Sequence, residues 1–298
     1  MKKLFLIFTT FFLFSVSAFS QTIVDGHVHL LSPESWKNDL PYWPEPATVE
    51  KVISILDEGG VSKAVVLSSA YLLPDEKKVQ FENDFIANEI KKYPDRLIGF
   101  CSVPLKGEWI YKEIDRCFGE LGLQGLKIHP QANDFYLHDK SNLEILDKVL
   151  SKTDQFNVPI IIDSLWLDSS ITLKIAQIAF RHLKTKIILA HAFFHHFRDL
   201  TLYSMFYEVY PGLPRNIFID VSVSVIFYAD SPEKDVFLWH LKKFGLDYVL
   251  FGSDYPVFTP KRTLEALKSY SFQPFELEKI VSKNWATKIF SWSTTDSH

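Results

Sequence analysis

The residues able to do chemistry in this chain fall at the ends of apolar runs. The first run closes with Asp25-Gly26-His27-Val28-His29. Residues two apart on a strand point to the same face, so His27 and His29 present two imidazoles to one place. Neutral imidazoles are good ligands for first-row divalent metals. Such a pair also arises by chance, and a solvent-facing pair is the ordinary alternative. Four further runs end in the same way. Lys127-Ile128-His129 follows Gly125-Leu126, and Asp163 follows three isoleucines. His191 follows Ile187-Ile188-Leu189-Ala190, and Asp254 follows Gly252-Ser253. An Asp in such a position can cap the next helix. Capping does not account for five strand ends together, because a charge beside an apolar run is costly to bury unless paired or metal-bound.

The runs alternate with helix-like stretches. Strands are expected at 22–30, 62–69, 97–103, 123–129, 159–164, 186–191, 216–222 and 248–253. Helices are expected at 48–58, 78–93, 109–121, 142–153, 170–183, 232–244, 263–269 and 276–290, with one more ending near 210. Eight alternations imply parallel βαβ units, and strands this rich in Val, Ile and Leu are covered on both faces. The expected fold is α/β, a single-domain TIM-like (β/α)8 barrel, which takes about 250 residues. No G-x-G-x-x-G follows any strand, which argues against a dinucleotide-binding sheet. In such a barrel catalytic groups gather at the C-terminal strand ends, where the residues above lie.

Composition bounds the rest. The chain has 298 residues, 47% hydrophobic and 23% charged, which is ordinary for a folded domain. A net charge of −4 gives nucleic-acid binding no support. Lys2 and Lys3 precede an apolar run, Leu4 to Phe14, and Ala18-Phe19-Ser20 follows. Residues 1–20 therefore read as a cleaved secretory signal peptide and 21–298 as the barrel. The apolar run is shorter than the roughly 20 residues of a spanning helix. An exported, periplasmic or secreted protein without membrane attachment is expected. Cys101 and Cys117 could pair in an oxidising compartment, but the preferred reading is two buried small hydrophobic residues. Trp36, Tyr42, Trp43 and Trp166 fall in loops at the expected barrel mouth, as a lid over a ring-containing substrate or as plain loop packing. His195 and His196 read as rim residues, since no H-E-x-x-H is present. Asp220 reads as a structural partner.

Thr22 to Leu30 (TIVDGHVHL), Gly125 to Pro130 (GLKIHP), Ile187 to His191 (IILAH), Phe251 to Pro256 (FGSDYP) and Asn284 resemble, in order, the amidohydrolase-related family. This is the branch of the metal-dependent amidohydrolase superfamily that includes aminocarboxymuconate-semialdehyde decarboxylase-like enzymes. The resemblance spans the whole mature chain. It implies a divalent metal at the mouth of a TIM-like barrel, with His27, His29 and Asp254 matching family ligands. His191 matches the family His that contacts the metal-bound water or the substrate. The family normally has a further His ligand at the end of strand five, where this chain has Asp163. A carboxylate can ligate zinc or manganese, so the expected set is His27, His29, Asp163 and Asp254 around one ion, zinc first and manganese second. Asp254 and His191 are the expected catalytic residues. Lys127 and His129 are expected to bind an anionic part of a small-molecule substrate. An internal ion pair is the alternative for Lys127, and a supporting hydrogen bond for His129. The expected activity is metal-dependent hydrolysis of an amide, ester or lactone. The alternatives are non-oxidative decarboxylation of a small unsaturated or aromatic acid, or a non-catalytic exported binding barrel. A homodimer stays open.

Overall fold

Eight parallel strands stand in chain order, each hydrogen-bonded to the next. They are β1 (Val24–Leu30), β2 (Lys63–Ser68), β3 (Leu97–Ser102), β4 (Leu126–Ile128), β5 (Ile160–Ile162), β6 (Ile187–Leu189), β7 (Ile217–Asp220) and β8 (Val249–Leu250). In this computed structural model the described residues are 22–40, 46–164 and 169–290. The expected signal peptide, Tyr42, Trp43 and Trp166 lie outside them.

The seam between β8 and β1 closes the ring. Gly26 N–H donates to the Phe251 carbonyl at 3.0 Å, Asp254 N–H to that of His27 at 2.7 Å, and His29 N–H to that of Tyr255 at 2.8 Å. Val28 and Tyr255 form an isolated parallel bridge there. β1 carries a bulge between Asp25 and Val28. One extra residue bends a strand and re-aims the side chains that follow.

Two apolar clusters reflect the pleat. Val24, Val65, Leu67, Phe100, Ile161, Ile188, Phe218 and Leu250 form one, together with Trp285 and Ile289 of the last helix. Their strand neighbours Ala64, Val66, Leu126, Ile160, Ile162, Ile187 and Leu189 join the larger cluster beneath the surrounding helices. Strands covered on both faces account for the near-continuous apolar runs. Trp285 is fully buried, and its indole N–H donates to the Phe251 carbonyl at 2.9 Å. A Cβ on Gly26 would lie 1.6 Å from that ring, so β1 needs glycine there.

Helices follow the strands broadly as expected, with local differences. Thr48 caps the helix Val49–Gly59, and Gly60, at φ 66°, ends it. A short helix, Pro33–Asn38, and a full one, Ser222–Ala229, were not expected. The latter is apolar on most faces, so it shows no clear amphipathic period. The stretch after β6 begins with tight 3₁₀ turns, 190–199, before a regular helix at Leu200–Val209. The closing helix starts at Pro274 and widens to i→i+5 winding over Lys279–Ile289. Among the described residues no helix is long and apolar enough to cross a membrane.

Cys101 and Cys117 correct a sequence reading. They are buried, as expected of small hydrophobes, but they are also joined by a disulfide, with Cα atoms 6.0 Å apart. The bond ties β3 to the helix Trp109–Gly119 that packs on it.

Candidate functional site

Past the last apolar layer the inward positions turn polar. Lys127 pairs with Ile161 across β4 and β5, and Ile161 with Ile188 of β6. Two residues beyond those isoleucines stand Asp163 and Ala190, with His191 next. β1 contributes His27 from within its bulge and His29 past it, and the turn after β8 contributes Asp254. All seven residues expected to form the site except His129 and Asp254 are buried, and those two are only partly open.

The cluster divides into two halves around His27. On one side, Asp254 Oδ1 lies 3.2 Å from His27 Nε2 and 3.3 Å from His29 Nε2. On the other, Asp163 Oδ2 lies 3.3 Å from Lys127 Nζ, 3.2 Å from His191 Nε2 and 3.6 Å from His129 Nε2. Lys127 Nζ also lies 3.3 Å from His27 Nε2. Lys127 therefore sits inside the barrel as an ion-pair partner of Asp163, the alternative weighed for it. His129 Nδ1 accepts from Ala132 N–H at 3.2 Å, which puts the ring proton on Nε2, toward the cluster. The Tyr71 ring lies 5.2 Å from the His129 ring and 6.3 Å from that of His29.

Asp220 joins the halves from behind. Its Oδ2 lies 3.0 Å from His27 Nδ1, and its Oδ1 accepts from the Ser222 hydroxyl at 2.5 Å. The Ser222 oxygen lies 2.7 Å from His191 Nδ1. The sequence signal for Asp220 matches that for Asp163, an acid closing an isoleucine-rich run. Its partner is 193 residues away, which no local pattern displays. Asp25 was not singled out for a role. It is fully buried and accepts from the His27 and Ser253 backbone N–H groups through Oδ1, leaving Oδ2 without a partner.

Burial and neighbouring charges set the protonation states. Burial, aided by the Lys127 charge, lowers His27 to about 4, so its ring is neutral. Burial likewise lowers His29 and His129. For His191 burial is outweighed by the Asp163 carboxylate, which raises it. Burial pushes Asp220 up, but contacts with His27 and His191 hold it down at about 2. Asp163 and Asp254 are held low against burial in the same way. Asp25 lacks such a neighbour, and burial raises it to about 7.

Two of these groups sit on strained backbone. His191, Ala192, Phe193 and Phe194 have φ of 60°, 47°, 62° and 44°, and Asp254 has 62°. Left-handed backbone costs a non-glycine residue about 1–2 kcal/mol, so it must be held. Around His191 the holding groups are Asp220 on its N–H, Ser224 on its carbonyl and Ser164 on the Phe193 N–H. Strain maintained this way is typical of functional sites.

The donors fit a divalent metal. His27 keeps its single proton on Nδ1, toward Asp220, so its Nε2 lone pair faces the Asp254 carboxylate at 3.2 Å. Lys127 is paired with Asp163 rather than Asp254. Facing lone pairs repel unless a cation is near; the Lys127 ammonium, 3.3 Å from the same Nε2, is one such cation, and a metal held between Nε2 and the carboxylate would be another. Among the described residues, His27, His191 and Asp254 each offer a ligand atom within 4.8 Å of the others, and His29 reaches the same Asp254 oxygen. His195 is exposed and His196 half-buried, as rim residues would be, and Trp36 is half-buried on its short helix.

Comparison with known proteins agrees with this fold. The sequence profile of the amidohydrolase family matches residues 24–291. The 2-amino-3-carboxymuconate-6-semialdehyde decarboxylase of Dictyostelium discoideum is 37% identical over 70 residues, 23% of this chain. The match spans only 20% of that relative's length. A 2,6-dihydroxybenzoate decarboxylase from Rhizobium superposes with a TM-score of 0.67 at 18% identity, covering 91% of this chain and 99% of that one. A 5-carboxyvanillate decarboxylase from Novosphingobium aromaticivorans, solved with manganese and 4-hydroxy-3-methoxy-5-nitrobenzoic acid, gives 0.66 at 16%, covering 91% and 96%. At these identities the two structures speak for the fold.

Proposed function

The chain belongs to the amidohydrolase family, and on that premise we propose that it is a divalent-metal-dependent, non-oxidative decarboxylase of a small aromatic or unsaturated carboxylic acid. The observation carrying this reading is His191, a buried ring with a hydrogen-bond partner on each nitrogen, Asp163 and Ser222, beside the putting-together of His27 and Asp254. The relatives named above support it, being decarboxylases.

His27, His29 and Asp254 would hold the metal; His191 donates from both ring nitrogens and Asp163 is engaged by Lys127 and His191, so neither is counted among the ligands. When bound, it supplies Lewis acidity that draws electron density from the substrate, and manganese suits this oxygen- and nitrogen-rich set as well as zinc does. The Ser222 oxygen gives its own proton to Asp220 and so accepts from His191 Nδ1. Asp163 accepts from His191 Nε2, and a ring donating on both sides is the charged acid form. When the bond from carbon to carboxylate breaks, carbon dioxide leaves and the electron pair stays on carbon. The proton on His191 Nε2 then forms the new C–H bond. Asp163 holds that donor in place and balances Lys127. His129 offers its Nε2–H to an anionic substrate group.

Metal-dependent hydrolysis is the second reading. Asp254 favours it, as the acid of the cluster most open to solvent and the one able to take a proton from an attacking water. The experiment is a panel of aromatic and unsaturated acids, esters and lactones with added Mn²⁺ or Zn²⁺, in D₂O. Release of carbon dioxide with deuterium at the vacated carbon, lost in His191→Asn, is the expected result. Ester or lactone cleavage without carbon dioxide would overturn it in favour of hydrolysis. We also propose that the enzyme works after export to an oxidising compartment. The signal-like first twenty residues and the Cys101–Cys117 disulfide support this.

A further inference from the structure

We propose that Asp220 is a positioning residue that fixes the ring proton of His27 and the backbone of His191 with one carboxylate. The inference rests on the reading of His27 as a metal-holding residue.

The carboxylate is fully buried at the end of β7, and its oxygens serve different histidines. Oδ2 takes the His27 Nδ1 proton at 3.0 Å. Oδ1 takes the Ser222 hydroxyl at 2.5 Å, the Ser222 N–H at 3.2 Å and the His191 N–H at 3.2 Å. An ionised carboxylate only accepts, so every bond in the chain has one direction. His27 donates through Nδ1 to Asp220. Ser222 donates to the same carboxylate, and His191 donates through Nδ1 to Ser222. His27 must therefore keep Nε2 bare, on the side facing Asp254. The His191 N–H bond holds the first residue of the left-handed stretch 191–194, which has no glycine to relax it.

Asp220→Asn preserves volume and separates this role from mere packing. If its amide N–H₂ faces His27, Nδ1 becomes the acceptor and the ring proton moves to Nε2, 3.2 Å from Asp254. The lone pair a metal would use is then gone. Loss of such an orienting partner typically weakens metal binding about 10–100-fold. Ser222→Ala leaves the Asp220 Oδ2–His27 bond intact while removing the hydroxyl that donates to Asp220 Oδ1 and accepts from His191.

The test has two readouts that do not depend on turnover. Ring ¹⁵N chemical shifts of His27 in metal-free protein report the tautomer, and electron paramagnetic resonance of free Mn²⁺ reports affinity. The expected results are an Nδ1–H tautomer in the wild type and in Ser222→Ala, and an Nε2–H tautomer in Asp220→Asn. Mn²⁺ affinity should fall about 10–100-fold in Asp220→Asn and stay within about twofold in Ser222→Ala. An Nε2–H tautomer in the wild type would overturn the proposal even if Asp220→Asn failed to fold. So would an Asp220→Asn protein with the wild-type tautomer and affinity. A wild-type Nδ1–H tautomer in a protein that binds no Mn²⁺ would instead refute the metal-holding reading and leave the positioning role standing.

Discussion

Gly26→Ala tests how tightly the site strand is fitted to the barrel floor. The added Cβ would lie 1.6, 2.1 and 2.5 Å from three atoms of the Trp285 indole. Carbon atoms rest about 3.5–4.0 Å apart, so the ring must shift by about 2 Å or β1 must lift. Trp285 has no exposed surface, and its N–H shares the Phe251 carbonyl with Gly26 N–H. Moving the ring breaks a hydrogen bond worth about 1 kcal/mol. Overpacking adds about 1–3 kcal/mol. The single variant should therefore lose about 2–4 kcal/mol. Trp285→Ala alone should lose about 3–5 kcal/mol through the cavity it leaves. In the double variant the new methyl points into that cavity, and its penalty should all but vanish. Urea unfolding of the four proteins, compared by midpoint at constant slope, gives the coupling, expected to match the single Gly26→Ala loss of about 2–4 kcal/mol. Additivity within about 0.5 kcal/mol, as found for independent sites, would refute this account of Gly26.

Other consequences can be checked directly. Replacing Cys101 and Cys117 by Ala should cost about 3 kcal/mol, the value for a closed loop of about 15 residues. Finding two free thiols per chain in unreduced, denatured protein would show the bond to be absent. Asp254→Asn should leave the fold intact by circular dichroism while weakening Mn²⁺ binding and lowering turnover by at least about 100-fold. Full activity would remove Asp254 from the site. Chelation of a bound divalent ion should lower the melting temperature, by mass action on a ligand held only by the folded state, and an unchanged melting temperature in protein shown to bind Mn²⁺ would contradict this. Asp220, held at about 2 in the fold, should contribute stability that is complete above about pH 4 and lost as pH falls toward 2. A depression of about two units is worth about 2–3 kcal/mol. Acid titration of Asp220→Asn should be flatter by that amount across this window, and a curve parallel to the wild type would count against it.

The chain's pattern made the barrel and most of its site legible. Inward-facing strand positions are apolar until the last layer, so a His, Lys or Asp ending such a run stands out. That logic located His27, His29, Lys127, Asp163, His191 and Asp254. It located Asp220 too, but without its job, because the job depends on a ring brought across from the other end of the chain. The left-handed stretch after β6 was invisible for a different reason. Its residues are His, Ala, Phe and Phe, and only surrounding serines and Asp220 hold them there. The helix Ser222–Ala229 was missed because SVSVIFYA favours strands locally and is overridden by packing. The pairing of Cys101 with Cys117 needed a distance that spacing alone does not supply.

The seam between β8 and β1 gives the site a second standing in the molecule. Asp25 and Ser253, bonded there, are 228 residues apart in the chain. The cost of closing a loop grows only slowly with its length, so nearly the whole polypeptide can be cinched by the few bonds that also aim His27 and Asp254. A ligand gripping both strands would act as a cross-link between the first strand and the last. Its occupancy would then be readable as resistance of the terminal strands to fraying and proteolysis. Opened between any other pair of strands, the barrel would keep this clasp; opened here, it would lose its closure and its chemistry in one event.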